Sequence, residues 1–148
     1  MKPEETIDFQ LKTTWQTVAR MYNELASSYG STMVSGYVLL NIEPEGNPST
    51  SLGPKMGLEP TGLSRILRQL EERGLIVRRK NRLDGRVVMI HLTSEGLIYR
   101  EKARKAVLEF NERLRQQLTP EHWNLFFTLM KTIRHTAEAT AIETLPSL

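Results

Sequence analysis

Apolar residues recur at intervals of three or four positions between residues 4 and 29. They are Ile7, Leu11, Trp15, Val18, Tyr22, Leu25 and Tyr29. This spacing is the period of one helical face, so it predicts a long amphipathic helix that ends near Gly30, a residue type favoured just past helix C-termini. The next stretch, 33–42, is more uniformly apolar and predicts a short buried helix, before prolines and glycines interrupt the chain at 44–48.

Two shorter helices are predicted at 51–56 and 60–73, on either side of the tripeptide Gly57-Leu58-Glu59. Pro54 falls in the expected first turn of the first one, where its missing N–H removes no intrahelical hydrogen bond. Gly74 is a natural stop for the second. The apolar face of that second helix consists of Leu63, Ile66, Leu67 and Leu70.

A two-stranded ribbon is predicted at 75–80 and 87–92, because both stretches are rich in β-branched or long apolar residues. Asp84-Gly85 between them favours a tight turn, since glycine takes positive φ without penalty. An isolated hairpin is marginal in water, so this one is expected to pack on the helices.

The remainder of the chain predicts two long helices. The first is capped by Thr93 and continues to about Gln117, and the second is capped by Thr119 with Pro120 in its first position. The apolar stripe of the last helix is too broad for one partner helix, which favours an association surface over ligand contacts for its three aromatic residues. This stripe contains Trp123, Phe126, Phe127, Met130, Ile133, Ala137 and Ala141.

Positive charge is concentrated in one part of the chain. The formal net charge is only +3, but the segment 65–86 has eight basic and three acidic residues and carries +5, so the rest sums to −2. A single basic patch on a nearly neutral body is expected of a nucleic-acid-binding protein. A solvated charged face is the alternative.

Two short helices joined by a tight turn are typical of the helix-turn-helix motif, whose second helix enters the major groove of DNA. Arginine can bind guanine through two hydrogen bonds, and serine or threonine can reach bases or phosphates, while Gly62 permits close approach. The candidate contacts of this helix are Thr61, Gly62, Ser64, Arg65 and Arg68. Arg65 and Arg68 have an alternative role, as partners of Glu71 or Glu72 in helix-surface ion pairs.

A basic ribbon directly after the second helix makes the motif a winged helix, and its charges can follow the DNA backbone into a minor groove. The candidate contacts there are Arg78, Arg82 and Arg86. The three basic residues at 78–80 have two equally compatible roles, as phosphate anchors or as solvated strand ends. The predicted fold class is mainly α with a small β-hairpin wing: a winged helix-turn-helix DNA-binding region at 33–96, with long helical regions at 1–32 and 97–148.

Catalysis finds little support in the sequence. Cysteine is absent, which excludes thiolate chemistry and disulfides, and the three histidines are scattered, so no metal site or cofactor is expected. Neither a phosphate-binding glycine loop nor a G-x-S-x-G elbow occurs. No apolar run approaches the roughly 18 residues of a membrane span, and the acidic N-terminus is unlike a signal peptide, so we expect a cytoplasmic protein with no membrane partner.

The same residues resemble the MarR family of transcriptional regulators. The matching motifs are L-x-x-x-M-G at 52–57, L-S-R-I-L at 63–67, L-E-x-x-G-L-I at 70–76, D-x-R at 84–86 and L-T-x-x-G at 92–96. The resemblance implies a homodimer formed by the first and last two helices, so that 1–32 and 97–148 are the helical dimerisation regions. It further implies an operator-binding winged helix in each subunit, and often a small aromatic effector. It also implies that Ser64 and Arg65 contact the operator, that Arg86 enters the minor groove, and that Asp84 orients Arg86.

The sequence departs from the family pattern at two places. Gly53-Pro54 stands where a small helix former is common, which predicts a shortened first helix of the motif. Pro60 and Gly62 replace the usual polar residues that open the recognition helix, so the family's base preference does not transfer.

Three functions follow from this reading. The favoured one is a dimeric repressor that binds an inverted repeat in double-stranded DNA and is relieved by a small aromatic ligand. The second is a winged-helix regulator without an effector, and the third is an interaction module whose basic patch binds an acidic protein surface. Trp15, Tyr22 and Tyr37 are the candidate effector contacts, with packing in the core or at a dimer seam as the alternative.

Overall fold

Residues 1–144 are described by the computed structural model, and over this range six α-helices accompany one small antiparallel sheet. The predicted fold class, mainly α with a β-hairpin wing, is confirmed. The helices are α1 (Ile7–Ser27), α2 (Met33–Asn41), α3 (Ser49–Met56), α4 (Pro60–Glu72), α5 (Ser94–Gln117) and α6 (Pro120–Thr144), and the strands are β1 (Asn47–Pro48), β2 (Ile76–Lys80) and β3 (Val88–Leu92).

Helix α1 begins later than its apolar periodicity predicts, at Ile7 rather than at residue 4. Pro3–Glu5 forms a separate 3₁₀ turn, and the extended backbone of Thr6 divides it from the helix. The Thr6 hydroxyl accepts a hydrogen bond from the Phe9 N–H, so it satisfies a donor that the first helical turn leaves free. At the other end, Gly30 adopts a left-handed φ of 71°, as expected of a residue that stops a helix.

Pro54 lies deeper in helix α3 than predicted. The helix starts at Ser49, two residues earlier than expected, so Pro54 lies in its interior and the predicted shortening by Gly53-Pro54 does not occur. The proline removes the hydrogen bond that would reach the Thr50 carbonyl four residues earlier. Thr50 is exposed, so water can donate a hydrogen bond to its carbonyl in place of the missing N–H, and the helix continues to Met56.

The sheet has three strands in the order β1-β3-β2, which corrects the prediction of a two-stranded ribbon. In the added strand, Asn47 pairs with Ile90 and Pro48 with Met89. A proline is tolerated there because β1 is an edge strand. The main pair, β2 and β3, runs from Ile76 opposite Leu92 to Lys80 opposite Val88.

One apolar cluster holds α2, α3, α4 and the sheet together. Its fully buried members include Leu39, Ile42, Leu52, Leu70, Ile76 and Ile90. Because residues of the recognition helix and of the wing strands share this core, the two candidate DNA-binding elements are fixed on a common support.

The beginning of α5 packs directly on the segment that follows α4. The Thr93 hydroxyl accepts a hydrogen bond from the Gly96 N–H and donates one of 2.6 Å to the Gly74 carbonyl, while the Thr93 N–H donates to the Leu75 carbonyl. The predicted capping role of Thr93 is confirmed. A Cβ at Gly96 would collide with the Leu75 carbonyl, so only glycine allows this approach.

The contacts divide the chain into two compact units, Met1–Val107 and a second one from Leu108 onward. The second unit contains the end of α5 and α6. Within it the Phe127 ring packs edge-on against Trp123 at 5.6 Å and Phe126 at 5.3 Å, and the Arg115 guanidinium lies 5.2 Å from the Trp123 ring. Over residues 1–144, no helix has the length and apolar character of a membrane span.

Candidate nucleic-acid interface

Helix α4 presents a polar and basic face opposite its buried one. Leu63, Leu67 and Leu70 are buried in the core. Of the candidate contacts, Thr61, Ser64, Arg65 and Arg68 are exposed, and Gly62 is half-buried, with open space where a side chain would be. The helix is thus oriented by its leucines so that four of its five candidate DNA contacts face solvent.

Arg65 and Arg68 do not form the helix-surface ion pairs that the sequence leaves open. Within residues 1–144, neither has an acidic partner. Glu71 pairs with Arg78 instead, through a distance of 2.6 Å between Arg78 Nε and Glu71 Oε2. The guanidinium groups of Arg65 and Arg68 therefore keep their donors available to an incoming phosphate or base.

Arg78 differs from the other candidate contacts because its Nε is already engaged. The ion pair with Glu71 joins β2 to α4 and partly neutralises the charge of Arg78. Both side chains are more than a third exposed, so solvent screens the pair and its contribution to stability is small. Sequence reasoning did not find this pair, since the two residues lie on different elements.

The wing loop, residues 81–87, is shaped by side-chain acceptors rather than by glycine. The Asn81 Oδ1 accepts hydrogen bonds from the N–H groups of Leu83 at 2.8 Å and Asp84 at 3.3 Å, and the Val87 N–H donates to the Asp84 carbonyl. Gly85 does not have a positive φ. The predicted turn is present, but its predicted cause is wrong, because asparagine and aspartate side chains hold the backbone.

The Arg86 side chain extends into solvent, and Asp84 accepts hydrogen bonds from its backbone N–H and its Nε. Asp84 Oδ1 accepts one hydrogen bond from the Arg86 N–H at 3.0 Å and a second from Arg86 Nε at 3.2 Å. The Arg86 side chain remains 93% exposed. This geometry restricts the direction of the guanidinium without burying it, which is what the orienting role predicted for Asp84 requires.

Two further side chains complete the tip of the wing. Arg82 is exposed, as a candidate DNA contact should be. Leu83, which the sequence patterning did not single out, is 99% exposed. In the sequence, only its position as an apolar residue between the charged Arg82 and Asp84 could have indicated it.

A cavity of about 530 Å³ lies within the first unit, bordered by residues of α1, α2 and the first half of α5. Trp15, Tyr22 and Tyr37, the candidate effector contacts, all line it, and Tyr29 joins them. Burial raises the pKa of Tyr22, and burial together with the neighbouring Tyr99 raises the pKa of Tyr29. Both hydroxyls therefore stay protonated at neutral pH.

A stack of rings and cations runs from this cavity to the end of α4. The rings of Tyr29 and Tyr99 meet edge-to-face at 5.9 Å, and Lys102 Nζ lies 5.2 and 4.9 Å from their centroids. Arg73, the residue that ends α4, lies 5.3 Å from the Tyr99 ring. Cation–π contacts of this length are attractive. The cavity wall and the recognition helix are thus connected through a chain of side chains that sequence periodicity could not reveal.

Comparisons with known proteins agree with this architecture. The MarR family model matches residues 32–88, which run from the start of α2 into β3. The organic hydroperoxide resistance transcriptional regulator of Bacillus subtilis is 30% identical over 104 residues, which cover 70% of this chain and 71% of that protein.

Two solved structures are similar over most of the chain. The S. aureus MepR–DNA complex has a TM-score of 0.81 at 19% identity, covering 88% of this chain and 98% of that one, which shows the fold. CouR from Rhodococcus jostii RHA1 bound to p-coumaroyl-CoA has a TM-score of 0.73 at 25% identity, covering 99% of each chain. With a winged helix, a basic α4 face and a relative of this identity and coverage, the chain belongs to the MarR family, whose members are DNA-binding transcriptional regulators and not enzymes.

Proposed function

We propose that this protein is a homodimeric repressor that binds an inverted-repeat operator and is released by a small aromatic ligand. The observation that carries the proposal is the exposed face of α4, where Arg65 and Arg68 have no acidic partner within residues 1–144. A cation that is left unneutralised beside Ser64 and Thr61 suits a polyanion with hydrogen-bonding base edges.

In this proposal the winged helix at 33–96 binds DNA. Arg65 donates two hydrogen bonds to a guanine, and Thr61, Gly62, Ser64 and Arg68 contact neighbouring bases or phosphates in the major groove. Arg86, directed by Asp84, enters the flanking minor groove, with Arg82 beside it. Arg78 acts at the base of the wing, where its second contact, to a phosphate, adds to the one with Glu71.

The helices outside 33–96 form the dimer in this proposal. The apolar side chains of α6 support it, because four large ones are about half exposed: Leu125, Phe126, Phe127 and Leu129. On α1, Ile7 is 60% and Trp15 58% exposed. A helix that exposes large apolar side chains in this way is often an association surface, and a second copy of the chain would cover each of these two faces. A twofold dimer also matches an operator with two inverted halves.

The cavity is the proposed ligand site. Its volume of about 530 Å³ lies within the range of small-molecule pockets. Aromatic walls formed by Trp15, Tyr22 and Tyr37 suit an aromatic ligand, and the hydroxyl of Tyr29 can donate a hydrogen bond to it. The stack through Tyr29, Tyr99 and Arg73 supports a route by which an occupant affects α4.

The regulator function is tested by selecting genomic fragments with the purified protein. We expect enrichment of an inverted repeat with half-sites about 10 to 10.5 base pairs apart, and a steep loss of affinity as salt increases. Sedimentation should give about twice the chain mass of 17.0 kDa. A shuffled duplex that binds as tightly as any selected fragment, or a single-chain mass, would contradict the proposal.

The ligand site is tested by thermal denaturation with a panel of benzoic and hydroxycinnamic acids. A ligand at about 100 times its Kd stabilises the folded state by about 2.7 kcal/mol, which raises Tm by about 5 to 11 °C in a chain of this size. Trp15→Leu should reduce that shift, because Trp15 lines the cavity. Phe9→Leu, a change to an aromatic residue of the same helix that is outside the lining, should leave it unchanged. Equal shifts in both variants would place the ligand elsewhere.

A further inference from the structure

Leu83 is an apolar side chain that the fold places entirely in water. It is 99% exposed, and among the large hydrophobic residues that the structure describes, within 1–144, only the N-terminal Met1 is more exposed. Its backbone is nevertheless held, because its N–H donates a 2.8 Å hydrogen bond to Asn81 Oδ1. The same oxygen accepts from the Asp84 N–H, so the loop fixes the point from which the Leu83 side chain projects.

The surroundings of Leu83 are cationic. Arg82 precedes it and is exposed, and Arg86 follows three residues later with 93% of its side chain in solvent. A leucine framed by two arginines suits a surface that is strongly negative at its edges and apolar within. The minor groove of DNA has that character, because phosphates line its rims and deoxyribose rings form its walls, and minor-groove proteins insert apolar wedges there.

We propose that Leu83 is a minor-groove wedge, which inserts its side chain at a base step between the groove walls while Arg82 and Arg86 engage the phosphates and floor beside it. This inference rests on the proposed operator binding and adds to it a contact that carries no charge. Because wedges separate base steps, the position facing Leu83 should favour flexible pyrimidine–purine steps such as TA and CA.

An uncharged contact has a distinctive signature in salt. Removing an arginine reduces the number of counterions released, so it flattens the dependence of affinity on salt. Removing an apolar contact lowers affinity equally at every salt concentration, because no phosphate is neutralised by it. The contribution of Leu83 to affinity can therefore be distinguished from that of the wing arginines by measuring affinity at several salt concentrations.

The experiment measures the affinity of the full-length protein for its selected operator at several salt concentrations. Leu83→Asn, which keeps the size but removes the apolar character, should lose roughly tenfold or more in affinity with an unchanged salt slope. Leu83→Met should bind within about twofold of the original. Val88→Thr is the matched control, an isosteric polar change at a partly exposed wing residue away from the tip. It should also bind within about twofold.

The outcomes separate the wedge from the proposed function. Because the Leu83 side chain makes no packing contact to lose, Leu83→Asn should melt at the original temperature, so weaker binding cannot be attributed to unfolding. Binding by Leu83→Asn within twofold of the unchanged protein would overturn the wedge alone. A loss accompanied by a flatter salt slope would overturn it as well. Failure of the unchanged protein to prefer any repeat would overturn the proposed function and the wedge together.

Discussion

Replacing Gly96 by alanine is expected to lower the free energy of unfolding by about 3 kcal/mol or more. The added Cβ would collide with the carbonyl carbon and oxygen of Leu75. That carbonyl cannot move aside easily, because Leu75 is 1% exposed and its oxygen accepts the Thr93 N–H. Overpacking against fixed backbone usually costs 1 to 3 kcal/mol and sometimes more, and here the contact is with backbone rather than with a side chain that can rotate. Urea denaturation followed by circular dichroism measures the change.

Gly62→Ala is the control for this substitution. Gly62 lies in the first turns of α4, and a Cβ there would meet open space. Alanine is the better helix former, so this variant should be more stable by about 0.5 to 1 kcal/mol. A Gly96→Ala variant that unfolds at the same urea concentration as the unchanged protein would show that α5 does not pack on Leu75 as the structure has it.

Arg65→Ala is expected to reduce operator affinity by about 1 to 3 kcal/mol for each half-site and to relax the base preference at one position in each. The reason is that an arginine fork bound to guanine carries sequence information, whereas a phosphate contact does not. Competition binding against a set of operators, each with one base pair changed, measures both effects. Uniform weakening across the whole set would mean that Arg65 contacts phosphate.

Arg104→Ala is the matched control for the loss of a positive charge. Arg104 lies on α5, outside the winged helix, and its Nη1 pairs with Glu101 at 3.0 Å. Its removal should change operator affinity little, because Arg104 lies outside the proposed DNA-binding region and its charge is already paired with Glu101. If Arg104→Ala weakened binding as much as Arg65→Ala, the recognition face would be wrongly assigned to α4.

The helices could be predicted from sequence because their signals are local. The three- and four-residue spacing of apolar side chains sets one buried face. Thr93 and Thr119 mark helix starts because their hydroxyls accept backbone N–H groups, and Gly30 marks a helix end through its positive φ. The small error at α1 arose where a competing local structure formed, the 3₁₀ turn before Thr6. At α3 the helix extends two residues further towards the N-terminus than predicted.

The parts that escaped prediction depend on contacts between distant residues. Strand β1 has two residues, one of them proline, so it has no alternation to detect, and only its pairing with β3 defines it. The pair Arg78–Glu71 and the stack of Arg73 on Tyr99 bring together separate elements. For the wing, composition identified the turn, but the side-chain hydrogen bonds that replace a positive φ at Gly85 appear only in three dimensions.

Arg73 caps the C-terminal end of α4, so a displacement of Arg73 would tilt the whole helix. Arg73 ends the helix and rests on Tyr99, whereas Thr61 lies at the opposite end, about 18 Å away at 1.5 Å per residue. A tilt of about 5° pivoting on Arg73 would therefore carry Thr61 through about 1.6 Å, which is enough to take a 2.9 Å hydrogen bond out of range. In the proposed mechanism, a rearrangement of the Tyr29 and Tyr99 rings that tilted α4 would therefore move its N-terminal end the most, and the buried Leu63 and Leu67 would shift with it.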